Sequence, residues 1–157
     1  MSARTVYRTA VAPEWIDYNG HMRDAYYALA LSLATDALMD QLGMDAGYRA
    51  RSRCTLYSLE MHMHWLREVK HGDELEIRVR LLGADRKRLH VGFEVWIAAH
   101  AGPAASAELM LLHVRQDAQP ASEPFPPDVA LAVEELRTET AGEWDGPRSR
   151  AIALLVR

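Results

Sequence analysis

Ala25-Tyr26-Tyr27-Ala28-Leu29-Ala30-Leu31-Ser32-Leu33-Ala34-Thr35-Asp36-Ala37-Leu38-Met39-Asp40-Gln41-Leu42 is the stretch on which the fold turns. It is rich in Ala and Leu, holds no Gly or Pro, and stops at Gly43, a residue suited to a C-cap. One long helix is therefore predicted, with Asp24 placed to cap its start by accepting an early backbone N–H. The first half is apolar on every side. Such a helix is expected to be enclosed by other structure rather than laid on a surface.

Alternating segments on either side supply what encloses it. Thr5 to Ala12 reads as a short strand, with Val6, Arg8, Ala10 and Ala12 on one side, and Pro13 to Asp24 reads as loop. After an irregular connection from Met44 to Arg53, Tyr57, Leu59, Met61, Met63 and Trp65 alternate with Ser58, Glu60, His62 and His64. Leu75, Ile77, Val79 and Leu81 follow, then Leu89, Val91, Phe93, Val95 and Ile97, then a strand from Ala105 to Arg115. Gly72-Asp73 and Gly83-Ala84-Asp85-Arg86 read as the first two turns. Four consecutive strands with short links predict an antiparallel meander with one apolar face. The class is thus α+β, an antiparallel sheet of about five strands wrapped around one long central helix. Residues 1–117 form that domain. Residues 118–157 shift in composition to a proline-rich linker (Pro120, Pro124, Pro126, Pro127), a short helix from Asp128 to Thr138, and a tail.

The chain has 157 residues, 49% hydrophobic and 25% charged, which suits one globular domain. Eighteen basic against 22 acidic side chains leave a net charge of -4 and no basic field for nucleic acid. Cys54 is the only cysteine, and Met1 to Tyr7 lacks a long apolar core. A reducing, cytoplasmic setting is expected, with no membrane span.

Chemistry concentrates in Trp15-Ile16-Asp17-Tyr18-Asn19-Gly20-His21-Met22-Arg23, the loop that opens into the helix. Asp, Asn and His fall within five residues, and Gly20 allows a positive φ or close approach of a ligand. Backbone N–H groups near Gly20 to Arg23 could donate to a developing oxyanion while the Asp17 carboxylate attacks or activates water. Asn19 and His21 would position the carbonyl or the water. Spacing alone equally allows Asp17 and Asn19 to close an Asx-type turn, with His21 a structural residue.

Asp17-Tyr18-Asn19-Gly20-His21-Met22 resembles the D-x-x-G-H-[VM] signature of hotdog-fold thioesterases of the 4-hydroxybenzoyl-CoA thioesterase type. That resemblance implies the hotdog fold, an acyl-CoA substrate, Asp17 as catalytic carboxylate, Tyr27 at the start of the central helix, and sites between subunits of a homodimer or larger homo-oligomer. Arg23 and Asp24 stand where many members carry two Asn residues. Trp15 to Met22, Leu59-Glu60-Met61-His62 and Gly83 to His90 are further similar to the betainyl-CoA thioesterases of carnitine degradation. That similarity implies a small cationic acyl group and no metal or organic cofactor.

Other residues are weighed against that frame. Glu60 is either a second acid/base or counter-charge beside Asp17, or a solvent-side residue next to His62 and His64. Trp15, Tyr18, Gly20, Met22 and Tyr57 are candidate acyl contacts, whereas Trp65 is expected to pack the core. Arg86, Lys87 and Arg88 are either a rim for CoA phosphates or a solvated hairpin tip. His62 and His64 lack a third ligand, so no metal is expected, and Cys54 reads as a small buried residue. A hotdog hydratase or dehydratase, and a non-catalytic acyl-thioester binding module, are the rival functions. The sequence does not match the spacing D-x(4)-N-x-x-H that the first would need.

Overall fold

The computed structural model describes residues 3–148. Strand β1 (Arg4–Ala10) leads through a 3-10 turn at Pro13–Trp15 into helix α1 (Asp24–Gln41). Helix α2 (Ala46–Ser52) follows, then β2 (Cys54–Trp65), β3 (Glu74–Ala84), β4 (Arg88–Trp96), β5 (Ala105–Arg115), the two-residue β6 (Ala121–Ser122) and α3 (Pro127–Glu139). The predicted long helix, five main strands and late helix are all present. The connection expected to be irregular instead carries α2, capped by Asp45, whose side chain accepts the Tyr48 N–H. Arg23, not Asp24, occupies the cap of α1, and the Asp24 carboxylate accepts the N–H of Ala25 at 2.9 Å.

Strand order differs from the simple meander. The sheet runs β1-β3-β4-β5-β2, all pairs antiparallel, with β6 on β5. So β2 does not hairpin onto β3; it crosses to the far edge and pairs with β5. Alternation reveals a strand but not its neighbour. The link 66–73 is also far longer than the two residues of a tight hairpin. This crossover matters for the site, because the link passes beside the loop ahead of α1. There Val69 accepts the Met22 N–H at 2.8 Å, and Lys70 bridges to His21.

One apolar cluster joins Ala30, Leu31, Ala34 and Leu38 of α1 to Leu75, Ile77 and Val79 of β3, Leu89, Val91 and Phe93 of β4, and Ala107, Leu109 and Leu111 of β5. The helix is not enclosed all round in this chain. Ala25, Leu29, Ser32, Asp36 and Asp40 line an exposed stripe, with Leu29 41% accessible. A bulge in β2 explains a second departure. Ser58 faces Leu111 and Glu60 faces Met110, so Leu59 is an extra residue and the alternation reverses across it. Directly opposed residues share a face. Met61, Met63 and Trp65 therefore share the Leu109 and Leu111 side with Leu56 and Ser58, while Tyr57 joins Glu60, His62 and His64 on the other side.

Residues beyond 117 pack against the sheet. Phe125, Val129, Val133 and Leu136 are buried in the same cluster, and the Leu81 N–H donates to the Thr140 hydroxyl oxygen. Trp144, also buried, lies flat against the backbone of Gly92. Residues 149–157, the end of the expected tail, lie outside the described residues. No helix among the described residues is long and apolar enough to cross a membrane.

Gly92 yields a test of this packing. A Cβ there would stand 2.6 Å from the Trp144 ring, well inside contact distance. Gly92→Ala is expected to destabilise the fold by about 1–3 kcal/mol, as overpacking does. In a Trp144→Ala background the same change should cost much less. Equal costs in the two backgrounds, from urea unfolding, would separate Trp144 from Gly92.

Candidate active site

The loop from Ile16 to Met22 is closed by its own backbone. Ile16 bridges Met22, the Asp17 N–H donates to the His21 carbonyl at 2.8 Å, and Gly20 donates to the Asp17 carbonyl at 3.1 Å. Gly20 sits at φ +81°, a conformation that a side chain disfavours. Inside this turn Asp17 Oδ1 accepts the N–H groups of Asn19 at 2.8 Å and His21 at 3.1 Å. Those two readings of Asp17, turn closure and chemistry, are compatible. Oδ1 closes the turn, and Oδ2 has no partner among the described residues.

The same bonds set its charge. The His21 N–H is the largest influence holding the Asp17 carboxyl below its ordinary value of 3.8; partial burial opposes it, and the Asn19 N–H and the charges of His21 and Arg23 assist. Asp17 is thus an anion throughout the neutral range.

The amides expected as oxyanion donors are already committed. Gly20 donates to Asp17, His21 to the Asp17 carboxylate, Met22 to Val69, and Arg23 to the Trp15 carbonyl at 2.9 Å. Forming the turn consumes them. Beyond them, Ala25 donates to the Asp24 side chain and Tyr26 to the Arg23 carbonyl. The Asp24 N–H, first in α1, has no acceptor among the described residues, and the positive end of the helix dipole lies there.

A cleft of about 340 Å³ opens at this helix start, between α1 and the end of β2. His21, Met22, Asp24 and Tyr27 line one side; Trp65, Arg67 and Glu68 line the other. Glu68 Oε2 is 3.0 Å from His21 Nε2. Tyr27 is 3% exposed and lies one turn inside α1. Burial first, then the charges of Asp73 and Glu68, push its hydroxyl up to about 12, so it stays a neutral phenol. Sequence reasoning missed Glu68 and Arg67. They follow the last alternating residue and read as a solvated link, and only the crossover brings that link to the loop.

The structure separates several expected partners from Asp17. Glu60 is on the outer face, opposite Met110 and on the side of His62 and His64, whose rings meet edge to face at 5.0 Å. Its strand register puts it on the face opposite the one against which α1 packs in this chain. Tyr57 shares that outer face, where its hydroxyl accepts from Gln116 at 3.5 Å. Trp15 is buried and stacks on Tyr26 at 5.5 Å, which makes it a brace for the loop rather than a wall of the cleft. Tyr18 is 90% exposed at the loop tip. Trp65, assigned to the core from alternation, is instead 54% exposed on the cleft.

Arg86, Lys87 and Arg88 do not form a free basic rim. Arg88 makes two bonds to Asp85 Oδ2, at 2.8 and 2.6 Å, and Lys87 reaches Ser122 at 2.9 Å. Only Arg86 keeps a side chain without a partner among the described residues. This turn follows Ala84, at the opposite end of β3 from the link that holds the motif loop. Cys54 is 3% exposed, and burial raises its thiol pKa, consistent with a structural role.

Comparison with known proteins places the fold in a family. The model of the thioesterase-like superfamily matches residues 11–133. A betainyl-CoA thioesterase of Pseudomonas aeruginosa is 48% identical over 132 residues, 84% of this chain and 82% of that protein. An L-carnitine dehydrogenase/betainyl-CoA thioesterase of Agrobacterium fabrum is 39% identical over 89% of this chain, which corresponds to 29% of the fused protein. Among solved structures, a candidate thioesterase from Pseudomonas putida KT2440 superposes with a TM-score of 0.84 at 40% identity, covering 99% of both chains. A Staphylococcus aureus protein solved with CoA has a TM-score of 0.86 at 24% identity, covering 99% and 98%, and shows the shared fold. The chain belongs to the thioesterase-like superfamily, and it is an acyl-CoA thioester hydrolase of the hotdog fold.

Proposed function

We propose that the chain hydrolyses betainyl-CoA, giving the free trimethylammonio acid and CoA, in the cytoplasm and without metal or organic cofactor. The observation that carries the mechanism is an ionised Asp17, with one carboxylate oxygen unpartnered, on the loop that leads into a helix whose first N–H is also unpartnered. The substrate rests on the 48% identity to a protein of that activity.

In this reading the thioester carbonyl accepts the Asp24 N–H, where the helix dipole favours the negative charge that develops on oxygen. Asp17 Oδ2 either attacks the carbonyl carbon or takes a proton from an attacking water. In the first route the C–S bond breaks, CoA leaves as the thiolate and takes a proton from water, and a water then hydrolyses the acyl-Asp17 anhydride to the free acid and the Asp17 carboxylate. In the second the C–S bond breaks and the proton held by Asp17 passes to the departing sulfur. His21 and Asn19 hold the water or the carbonyl beside it. Both routes need the anionic carboxylate, so activity is lost as pH falls through the Asp17 pKa. That pKa lies below 3.8. The kcat profile should therefore show no decline from Asp17 between about pH 7 and about pH 5. A decline centred in that window would move the essential base to another group.

A homodimer or larger homo-oligomer is part of the proposal. Among the described residues β2 pairs with β5 on one side only, and Leu59 and Met61 along it are 52% and 42% exposed, with Leu29 of α1 open as well. An apolar open edge favours pairing with a second copy. Sedimentation should give at least twice 17.7 kDa. Leu59→Lys should shift the mass down and reduce turnover with it. A fully active monomer would contradict the assembly.

For the CoA phosphates, Arg67 at the cleft is the proposed contact within one chain, and Arg86, whose side chain has no partner among the described residues, is the proposed contact from a second copy. Replacing each with Ala should raise KM several-fold more than it lowers kcat, and added salt should mimic the effect. Unchanged KM values at low salt would remove both from the phosphate site. The substrate itself is tested by kcat/KM for betainyl-CoA against its neutral isostere 3,3-dimethylbutanoyl-CoA. A preference for the cation of at least about tenfold is expected. Equal values would refute betainyl-CoA and leave thioester hydrolysis intact.

A further inference from the structure

We infer that Glu68 is the residue that selects a cationic acyl group, acting with the exposed face of Trp65; the inference rests on the substrate reading above. A quaternary ammonium has no N–H, so no hydrogen bond can hold it. Only a carboxylate charge and an aromatic face can distinguish it from a tert-butyl group of the same shape. The cleft beside His21 provides both. Trp65, the last residue of β2, is half exposed at its wall, and Glu68 follows three residues later on the link.

Of the carboxylates there, Glu68 is the one placed to act on a ligand. Asp24 accepts the Ala25 N–H, and its charge is offset by the helix start on which it sits. Asp73 is tied to its own turn, accepting the Lys70 N–H at 2.8 Å. Asp17 closes the loop through Oδ1, and its Oδ2 is the oxygen assigned to the hydrolysis rather than to holding the acyl cation. Glu68 uses only Oε2, against His21 Nε2 at 3.0 Å, and its side chain is 65% exposed. Oε1 has no partner among the described residues. Its charge already reaches into the cleft, where it bears on the Tyr27 hydroxyl. Glu60, the counter-charge suggested by the alternation, faces the other side of the sheet.

Glu68 could instead serve only to orient the His21 ring. Glu68→Gln separates the two roles, because an amide oxygen still accepts from His21 Nε2 while the charge is gone. The measurement is kcat/KM for betainyl-CoA and for 3,3-dimethylbutanoyl-CoA, in the wild type and in Glu68→Gln. The ratio of cationic to neutral substrate should fall about tenfold in the variant, a loss of about 1.4 kcal/mol of discrimination. Glu68→Asp should restore part of that ratio. An equal fall for both substrates would assign Glu68 to orienting His21 and overturn the inference. An unchanged ratio in the variant, with the wild type still preferring the cation, would overturn it too and leave the substrate reading standing. A wild type with no preference would fail that reading first, in a comparison that does not involve the variant.

Discussion

Two backbone N–H groups, from Asn19 and His21, converge on one oxygen of Asp17. That contact organises the site. It closes the loop on itself, so the chain must turn at Gly20 in a conformation few residues tolerate. It is also the largest influence keeping the carboxyl ionised, with the charges of His21 and Arg23 assisting, because hydrogen bonds to the charged form favour that form. And it leaves the second oxygen without a partner among the described residues, on the loop that leads into α1. An anion held by hydrogen bonds and a helix start whose first N–H, that of Asp24, has no acceptor among the described residues are the two halves of thioester hydrolysis.

The loop would not hold this shape alone. The link 66–73 supplies the missing strand-like partner, with the Val69 carbonyl taking the Met22 N–H and Lys70 bridging His21. That link exists because β2 leaves for the far edge of the sheet and β3 begins beside β1. Sheet order and site geometry are therefore one constraint. The crossover that separates β2 from β3 also delivers Trp65, Arg67 and Glu68 to the cleft.

Much of this was legible in the residues. The Ala- and Leu-rich run from 25 to 42 announced its helix, and period-2 alternation located every long strand. The Asp17 to Met22 motif pointed at the loop that carries the carboxylate and leads into α1. What could not be read was relational. Alternation does not encode which strand lies beside which, so the meander order placed β2 wrongly. A single inserted residue, Leu59, reverses the faces of β2, which moved Tyr57 to the outer side. Glu60 kept the face predicted for it, but that face looks away from Asp17. The amides of Gly20 to Arg23 seemed available because a sequence shows donors and not their acceptors; the folded turn uses all four. Asp85 and Ser122 took up Arg88 and Lys87 for the same reason.

The central claim is that the unpartnered oxygen of Asp17 carries out the hydrolysis, and Asp17→Asn addresses it most directly. Asn retains an Oδ1 that can accept the Asn19 and His21 N–H groups, so the loop keeps its shape while the anionic oxygen is lost. Release of free CoA thiol from betainyl-CoA, followed in the wild type and in this variant, should show kcat reduced by roughly two to four orders of magnitude with the unfolding midpoint little changed. A folded variant that keeps more than about half of the wild-type turnover would contradict the account.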